Sequence, residues 1–322
     1  HFPDTFQALE LARQRLTFEE LFYLSAGLTM LKTRRGGGSG QAVPSRPQND
    51  FLALLPFPPT GAQLRVMEEI AGDMASGRPM NRLCQGDVGS GKTMVAAACI
   101  WFAAQSGWQS ALMAPTEILA EQHFASLGKL FAPLRIRVEL LTGSLTPKEK
   151  ALRRERIAQG EAGLVIGTHA LLTDSTRFAN LGLVITDEQH RFGVGQRSAL
   201  GSKGENVHLL VMSATPIPRT LALLMYGDLD VSLVDELPPG RESVDTFLVS
   251  EALRPRINAF IRKQVTEGHQ CYVVCPAVEE NEELGVKAAE VWAETLQNTV
   301  FPDLRIALLH GQMKGKEKEA VM

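Results

Sequence analysis

From residue 51 onward, short runs of apolar and β-branched residues alternate with stretches in which apolar residues recur at helical spacing. Short runs of this kind are typical of buried strands, and their alternation with helical patterns predicts a parallel sheet flanked by helices. The sequence therefore predicts an α/β fold, with a short strand ahead of Gly86 and further strands at residues 110–114, 138–141, 164–166, 183–186 and 209–212.

The segment before residue 51 has a different pattern. Apolar residues at helical spacing over residues 6–31, such as Leu11 and Phe18, predict one or two helices. The tract GGGSG that follows, with two prolines soon after it, is typical of a flexible linker. We therefore expect a helical segment over residues 1–35, a linker over 36–49 and an α/β domain over 50–235.

A second α/β segment begins after the sequence DELPPGR, which ends at Arg241. Short apolar runs at residues 246–249, 271–275 and 306–309 alternate with helical patterns, so we expect strands there. Three strands are too few for a complete doubly wound sheet. The sequence therefore predicts the first part of a second domain over residues 236–322.

A glycine-rich turn, GDVGSGKT, follows the first predicted strand and precedes a run of small apolar residues. It satisfies the pattern G-x-x-x-x-G-K-[ST], in which backbone N–H groups surround phosphates, the lysine reaches the β- and γ-phosphates and the hydroxyl ligates Mg²⁺. A glycine-rich surface turn would explain the glycines but not the lysine and threonine before a helix. The predicted nucleotide-binding residues are Gly86, Gly89, Ser90, Gly91, Lys92 and Thr93.

An acidic pair follows the apolar strand 183–186 directly. At the end of a buried strand in a P-loop enzyme, Asp187 is expected to hold Mg²⁺, and Glu188 is expected to orient or deprotonate the attacking water. The catalytic residues predicted in this way are Lys92, Asp187 and Glu188. A helix-capping role for the pair is the alternative.

Other strand ends also carry polar clusters: APTE, LTGS, GTH and SATP. Ligands of open parallel sheets bind beyond the carboxyl ends of the strands, so these clusters predict a site along one edge. The hydroxyls of Ser213 and Thr215 are suited to sensing the γ-phosphate. Gln63, shortly before the loop, is suited to the edge of adenine because an amide both donates and accepts.

Composition changes this picture little. The net charge of −3 gives no support for nucleic-acid binding, and the cluster RRER at residues 153–156 is expected to be a solvated helix face. The apolar run 95–104 is too short to span a bilayer. Cys271 and Cys275 are expected to be buried strand residues rather than a metal pair, and a reducing cytoplasm fits the four cysteines.

The order of these sequences resembles that of the superfamily 2 helicases and translocases. Gln63 corresponds to the Q motif, GDVGSGKT to motif I, APTEILAEQH to motif Ia, DEQH to motif II and SATP to motif III. The longer strings DEQHRFGVGQR and MSATPIPRTLALLMYGDLDVSLVDELPPGR are similar to the RecG family of bacterial branch migration helicases. The opening HFP and RLTFEELF resemble that family's connection between wedge domain and motor, and VVCPAVEE and LLHGQMKGKEKEAVM resemble the start of its second motor domain.

The resemblance implies a RecA-like P-loop NTPase domain followed by an incomplete second RecA-like domain. It also implies an ATP- and Mg²⁺-dependent monomeric motor that remodels stalled forks and Holliday junctions in recombination and repair. This chain would be a truncated fragment of that motor, retaining the ATP-binding half and only weakly active. The residues implied to contact DNA are Thr116, Thr142, Gly143, Thr168 and His169, and those implied to couple DNA to ATP are His190, Ser213 and Thr215.

Two alternatives stay open. The transcription-repair coupling factor shares ATPIPRT and a similar motif II, but its usual motif II has Glu where this chain has Gln189. A superfamily 2 helicase directed at RNA is the second, because the part of the family that reads branched DNA is absent from this sequence.

Overall fold

The computed structural model describes residues 3–35, 43, 49–55, 57–171, 173–187, 207–215, 229–238, 244–275, 282–313 and 315–321. The chain divides into two compact units, His1–Glu242 and Ser243–Met322. The predicted linker over residues 36–49 lies almost entirely outside the described residues, and the predicted domain boundaries stay predictions.

In the part of the first unit that the structure describes there are seven strands and the helices that precede, connect and flank them. The helices are α1 (Phe6–Arg35), α2 (Asn49–Leu52), α3 (Gly61–Ala75), α4 (Lys92–Gln105), α5 (Glu117–Phe131) and α6 (Pro147–Ala158). The strands are β1 (Asn81–Gly86), β2 (Gln109–Met113), β3 (Val138–Leu141), β4 (Leu164–Gly167), β5 (Leu181–Asp187), β6 (His208–Ser213) and β7 (Asp230–Val234).

The strands form one parallel sheet in the order β3-β4-β2-β5-β6-β1-β7. This confirms the predicted α/β fold, and the predicted strand bounds agree with the observed ones within two residues. The edge strand β7 was not predicted. The buried face of β7 includes a polar residue, Ser232. The sequence of this strand therefore lacks the alternation of apolar and polar residues that predicts a half-buried strand.

Helix α4 lies in the centre of the core. Its residues from Val95 to Ala103 are all buried, which is the pattern of a helix covered on every side. Trp101 of this helix packs against the buried Phe51 with ring centroids 5.9 Å apart. Because the glycine-rich turn leads directly into α4, the core of the unit fixes the position of that turn.

The basic cluster of α6 has a structural role. Arg153 donates to the carbonyl of Leu140, and Arg156 pairs with the buried carboxylate of Glu139 at 3.3 Å. The expectation of a solvated helix face was wrong for these two half-buried arginines, because α6 packs beside the edge strand β3 and its guanidinium groups satisfy polar atoms there.

Helix α1 is a single helix, where the pattern allowed one or two. Its apolar side chains, including Leu11 and Phe18, are largely exposed. Within the described ranges of the chain, no helix combines the length and the apolar character needed to cross a bilayer.

The second unit is helical in the residues that the structure describes. After a short 3₁₀ turn at Glu251–Leu253 it contains α7 (Arg254–Thr266), α8 (Glu282–Thr295) with a π-helical turn at Leu296–Val300, and α9 (Gly315–Val321).

The strands predicted at residues 246–249, 271–275 and 306–309 were wrong, since these segments carry no strand in the structure. Most of their apolar side chains are exposed, Leu248 completely. A strand needs a neighbour for its backbone hydrogen bonds, and none pairs with these segments among the described residues. Cys271 is accordingly exposed and Cys275 half-buried, so their predicted burial was also wrong.

Candidate nucleotide-binding site

The carboxyl ends of the parallel strands form one edge of the sheet, which has two halves. The ends of β5, β6 and β1 form the nucleotide half, and the ends of β3, β4 and β2 form the threonine half, named after Thr142, Thr168 and Thr116. Within the nucleotide half, Asp187 is in register with Met212, which is in register with Cys84. The acid therefore lies level with Cys84, two residues before the glycine-rich loop, and about 10 Å across the sheet from it.

Two glycines of the loop lie where a side chain would not fit. A Cβ on Gly86 would lie 2.6 Å from the hydroxyl of Ser90 and 2.9 Å from the carbonyl of Val234. Gly91 has φ 87°, and a Cβ there would overlap the amide of Gln63. The loop therefore requires glycine at both positions, for close approach at the first and for a left-handed conformation at the second.

The polar groups of the loop suit an oxyanion. The ammonium of Lys92 lies over the loop and donates to the carbonyls of Gly86 at 2.7 Å and Asp87 at 2.9 Å. The hydroxyl of Ser90 is buried and has no hydrogen-bond partner in the described part of the chain. Because α4 begins at Lys92, its N-terminal N–H groups face the same loop. Together these donors fit a bound phosphate.

Gln63 joins α3 to the loop. Its side-chain oxygen accepts from the N–H of Thr60 at 3.0 Å, which completes a capping box at the start of α3. Its amide nitrogen donates to the carbonyl of Ser90 at 2.7 Å, and the side chain is fully buried. The structure therefore places Gln63 at the loop, while its predicted contact with adenine stays a prediction.

Asp187 is held by a residue that sequence reasoning missed. Its Oδ2 lies 2.8 Å from Nε2 of His123 on α5, and both side chains are nearly buried. His123 belongs to a buried helical stripe with Ala120, Leu127 and Phe131. The signal that could have identified His123 in the sequence is a polar residue inside an apolar helical stripe.

The oxygen donors of Thr93 and Asp187 fit a hard cation such as Mg²⁺. Nowhere in the described ranges do three or more His, Cys, Asp or Glu side chains cluster as metal ligands. Mg²⁺ bound with a nucleotide needs only one or two protein ligands because phosphates and waters complete its shell. The predicted residues Glu188 and His190 lie outside the described residues.

Ser213 and Thr215 are close together at the end of β6. Their hydroxyls are 2.7 Å apart, and the N–H of Thr215 also donates to Ser213. Gln85, the residue before Gly86, reaches the carbonyl of Thr215 at 3.3 Å. Gln85 was not among the predicted residues, although a polar residue at the end of an apolar strand marks it.

On the threonine half, the hydroxyls of Thr116 and Thr142 already have partners within the protein. Thr116 caps α5 by accepting from the N–H of Leu119 at 3.3 Å. Thr142 is buried, and its hydroxyl lies 3.1 Å from that of Ser144. Thr168 is also buried, whereas Gly143 and His169 are exposed. The structure thus brings the five predicted DNA-contact residues to one half of the edge.

Glu117, another residue that was not predicted, ties α5 to this half. Its Oε1 accepts from the N–H of Gly143 at 2.8 Å and from that of Ser144 at 3.2 Å. A carboxylate in the first turn of a helix is also favoured by the helix dipole. The turn after β3 is therefore fixed to the N-terminus of α5.

The thiols near the loop do not supply a nucleophile. Burial raises the pKa of the Cys84 thiol to about 12, despite the opposing charge of Lys92. Burial also raises the pKa of Cys99, in α4. Both thiols therefore stay protonated at neutral pH.

A parallel sheet of this order, with a glycine-lysine-threonine loop between β1 and α4 and an acid at the end of β5, defines a P-loop NTPase domain of the RecA-like type. The model of the DEAD/DEAH box helicase family matches residues 60–224. The chain belongs to this family.

Within this family, the chain is similar to the RecG helicases. The chain is 47% identical over 324 residues to the ATP-dependent DNA helicase RecG of Thermotoga maritima, covering 100% of this chain and 42% of the relative. It is 48% identical to RecG of Escherichia coli strain K12, covering 99% of this chain and 48% of the relative. The chain thus spans a little under half the length of these relatives, and the predicted resemblance to RecG is confirmed.

Comparison with solved structures gives the same similarity to RecG. A structure of RecG bound to a three-way DNA junction is similar over 100% of this chain and 42% of that one, with a TM-score of 0.82 and 44% identity. The DEAD-box helicase Mss116 bound to single-stranded RNA matches 86% of this chain and 61% of its own with a TM-score of 0.60. At 18% identity, the second match supports the RecA-like fold alone.

Proposed function

We propose that this chain is the ATP-binding part of a RecG-like DNA helicase, which translocates on DNA and remodels stalled forks and Holliday junctions in recombination and repair. The observation that carries this proposal is the 47–48% identity to RecG helicases over nearly the whole chain. The stereochemistry of the glycine-rich loop supports ATP as the energy source. We also propose that the motor works as a monomer in the bacterial cytoplasm, where its substrate lies.

We assign the nucleotide to the loop and the acid. The backbone of Gly86, Gly89, Ser90 and Gly91 binds the phosphates, and Lys92 exchanges its carbonyl partners for the β- and γ-phosphates. Gln63 turns from its bonds with Thr60 and Ser90 to contact the edge of adenine.

The metal is assigned to the hydroxyl of Thr93 and the carboxylate of Asp187. When bound, Mg²⁺ neutralises charge that develops on the phosphates. Glu188 orients the attacking water and takes up its proton.

We assign the threonine half to the DNA backbone. Contacts from Thr116, Thr142, Gly143, Thr168 and His169 to phosphates carry no sequence information, which suits a motor that moves along any sequence. Ser213, Thr215 and His190 would then report the state of the γ-phosphate to this half. The hydrogen bond from Gln85 to Thr215 supports such a link because it joins the strand of the loop to the end of β6.

The test compares nucleic acids as activators. In the natural protein that carries this sequence, forked DNA should raise the steady-state rate of ATP hydrolysis more than linear duplex does, and RNA should have no effect. Equal stimulation by forked and linear duplex would favour a translocase like the transcription-repair coupling factor. Stimulation by RNA would favour an RNA helicase. The Lys92→Ala variant serves as the background for each nucleic acid.

A further inference from the structure

We propose that His123 is a positioning residue for the metal-binding acid: its imidazole holds the carboxylate of Asp187 in the orientation that binds Mg²⁺ with the nucleotide. The inference rests on the proposed function. None of the helicase motifs recognised in the sequence assigns His123 to the ATP site.

The direction of this hydrogen bond follows from the proposed role of Asp187, because a carboxylate that ligates Mg²⁺ is ionised. Nε2 of His123 lies 2.8 Å from Oδ2 of Asp187. An ionised carboxylate only accepts hydrogen bonds, so Nε2 carries the proton and donates it. This bond fixes one oxygen of Asp187 and opposes rotation of the carboxylate. Carboxylates that ligate metals are commonly held by such outer partners.

The position of His123 in α5 indicates a purpose other than packing. The neighbouring members of its stripe, Ala120, Leu127 and Phe131, are apolar and fully buried. An apolar residue at position 123 would continue this stripe, whereas an imidazole there costs free energy unless it is paired. Its hydrogen bond to Asp187 is the contact that offsets this cost.

Helix α5 is held in place independently of Asp187. Thr116 caps its first turn, and Glu117 bonds two N–H groups of the turn after β3. Leu127 and Phe131 anchor the following turns in the core. His123 is therefore presented to Asp187 by a fixed scaffold, which is what a positioning residue requires.

The experiment titrates MgCl₂ and measures binding of a fluorescent ADP analogue to this chain. His123→Phe keeps a planar ring but removes the donor, and we expect it to raise the Mg²⁺ concentration at half-saturation by about 10- to 100-fold. His123→Gln can place an amide N–H near the position of Nε2, and we expect it to restore most of the loss. Leu127→Ala is the matched control: it removes a buried side chain from the same stripe and should lower thermal stability while leaving the Mg²⁺ dependence unchanged.

The outcomes separate this inference from the proposed function. If the wild-type chain shows no Mg²⁺-dependent binding of the ADP analogue, the proposed ATP site is wrong. If wild type binds and Asp187→Asn shifts the Mg²⁺ dependence but His123→Phe does not, His123 has no positioning role. An equal shift in Leu127→Ala would likewise overturn the inference, because it would show that loss of packing alone produces the effect.

Discussion

The two halves of the sheet edge use their polar residues differently. On the nucleotide half, Gly86 and Gly91 lie in positions that tolerate no side chain, and Lys92 and Gln63 are bonded to the backbone of the loop. On the threonine half, the hydroxyls of Thr116 and Thr142 take part in a helix cap and a local hydrogen bond. Both halves come from recognisable motifs, yet only the first has a geometry that a nucleotide explains better than folding does.

This difference shows how far a functional role can be assigned to a motif residue from its position in the fold. Residues whose geometry is not explained by a helix cap or a local hydrogen bond indicate a ligand. The glycines of the loop are such residues. A residue that completes a cap contributes to folding whether or not it touches DNA. We therefore expect substitutions on the nucleotide half to change binding and chemistry, and those on the threonine half to change stability as well.

The largest effect is expected from the second acid of the DEQH sequence. Glu188→Gln keeps the shape of the side chain but removes its basic carboxylate, so the rate of ATP hydrolysis in the natural protein should fall by about 10²- to 10⁴-fold while ATP still binds. Asp187→Asn should instead change the Mg²⁺ dependence and the nucleotide affinity together. Steady-state hydrolysis beside a binding titration measures both, and the same mild effect from both variants would contradict the two assigned roles.

Lys92→Ala should weaken nucleotide binding by about 10- to 100-fold, because hydrogen bonds to charged groups contribute about 1.5–3 kcal/mol. Titration of this chain with a fluorescent ATP analogue measures the change. Lys129→Ala removes an equal charge from the last turn of α5 and is the control. If the two variants bound equally well, the loop would not be the phosphate site.

Gly91→Ala separates strain from crowding when compared with Gly107→Ala. Both glycines have positive φ, 87° and 78°, so each alanine should cost about 1–2 kcal/mol of unfolding free energy. At Gly107 no atom of the described residues other than its chain neighbours lies within 4 Å of the added Cβ, whereas at Gly91 the Cβ would overlap Gln63. Urea unfolding should therefore show a greater loss for Gly91→Ala, and equal losses would mean that Gln63 does not restrict the loop.

Thr116→Ala tests the structural side of the threonine half. Loss of the cap on α5 should lower the free energy of unfolding by about 1 kcal/mol, and Thr116→Ser should retain most of it. Urea unfolding without nucleic acid is the measurement. An unchanged stability of the alanine variant would mean that this hydroxyl serves a ligand alone, and the contrast between the two halves would then disappear.

The smallest effect concerns an exposed ion pair beside the nucleotide half. Arg65 donates to Asp235 at 2.8 Å and thereby lowers the pKa of that carboxyl. A lowered pKa in the folded state stabilises the fold above the ordinary carboxyl pKa, and this contribution is lost as the pH falls through the lowered value. The small difference in urea midpoint between wild type and Asp235→Asn, present near pH 7, should shrink as the pH falls below the ordinary carboxyl pKa and vanish once it is below the lowered pKa. A difference that persisted in acid would assign the effect to something other than the charge of Asp235.

Sequence reasoning captured the parts of the fold that have local signals. The apolar runs located β1 to β6, and the glycine-lysine-threonine pattern located the loop. It missed the contact between His123 and Asp187 because the two residues are 64 positions apart and meet only when α5 packs on the sheet.

Two further misses have the same physical origin. The strand β7 escaped because Ser232 occupies a buried position, which tertiary packing permits but local pattern does not reveal. In the second unit the apolar runs did suggest strands, but strand formation depends on partners elsewhere in the chain. Leu248 and Val274 instead remain exposed.

The length of β5, seven residues, determines where Asp187 lies at the edge of the sheet. Side chains of a strand point alternately to opposite faces, and each residue advances the chain by about 3.3 Å. Deleting a single residue from β5 would turn Asp187 away from His123 and move it further from the loop, with the chemical groups otherwise intact. The length of this strand therefore matters to the proposed site as much as the identity of its acid does.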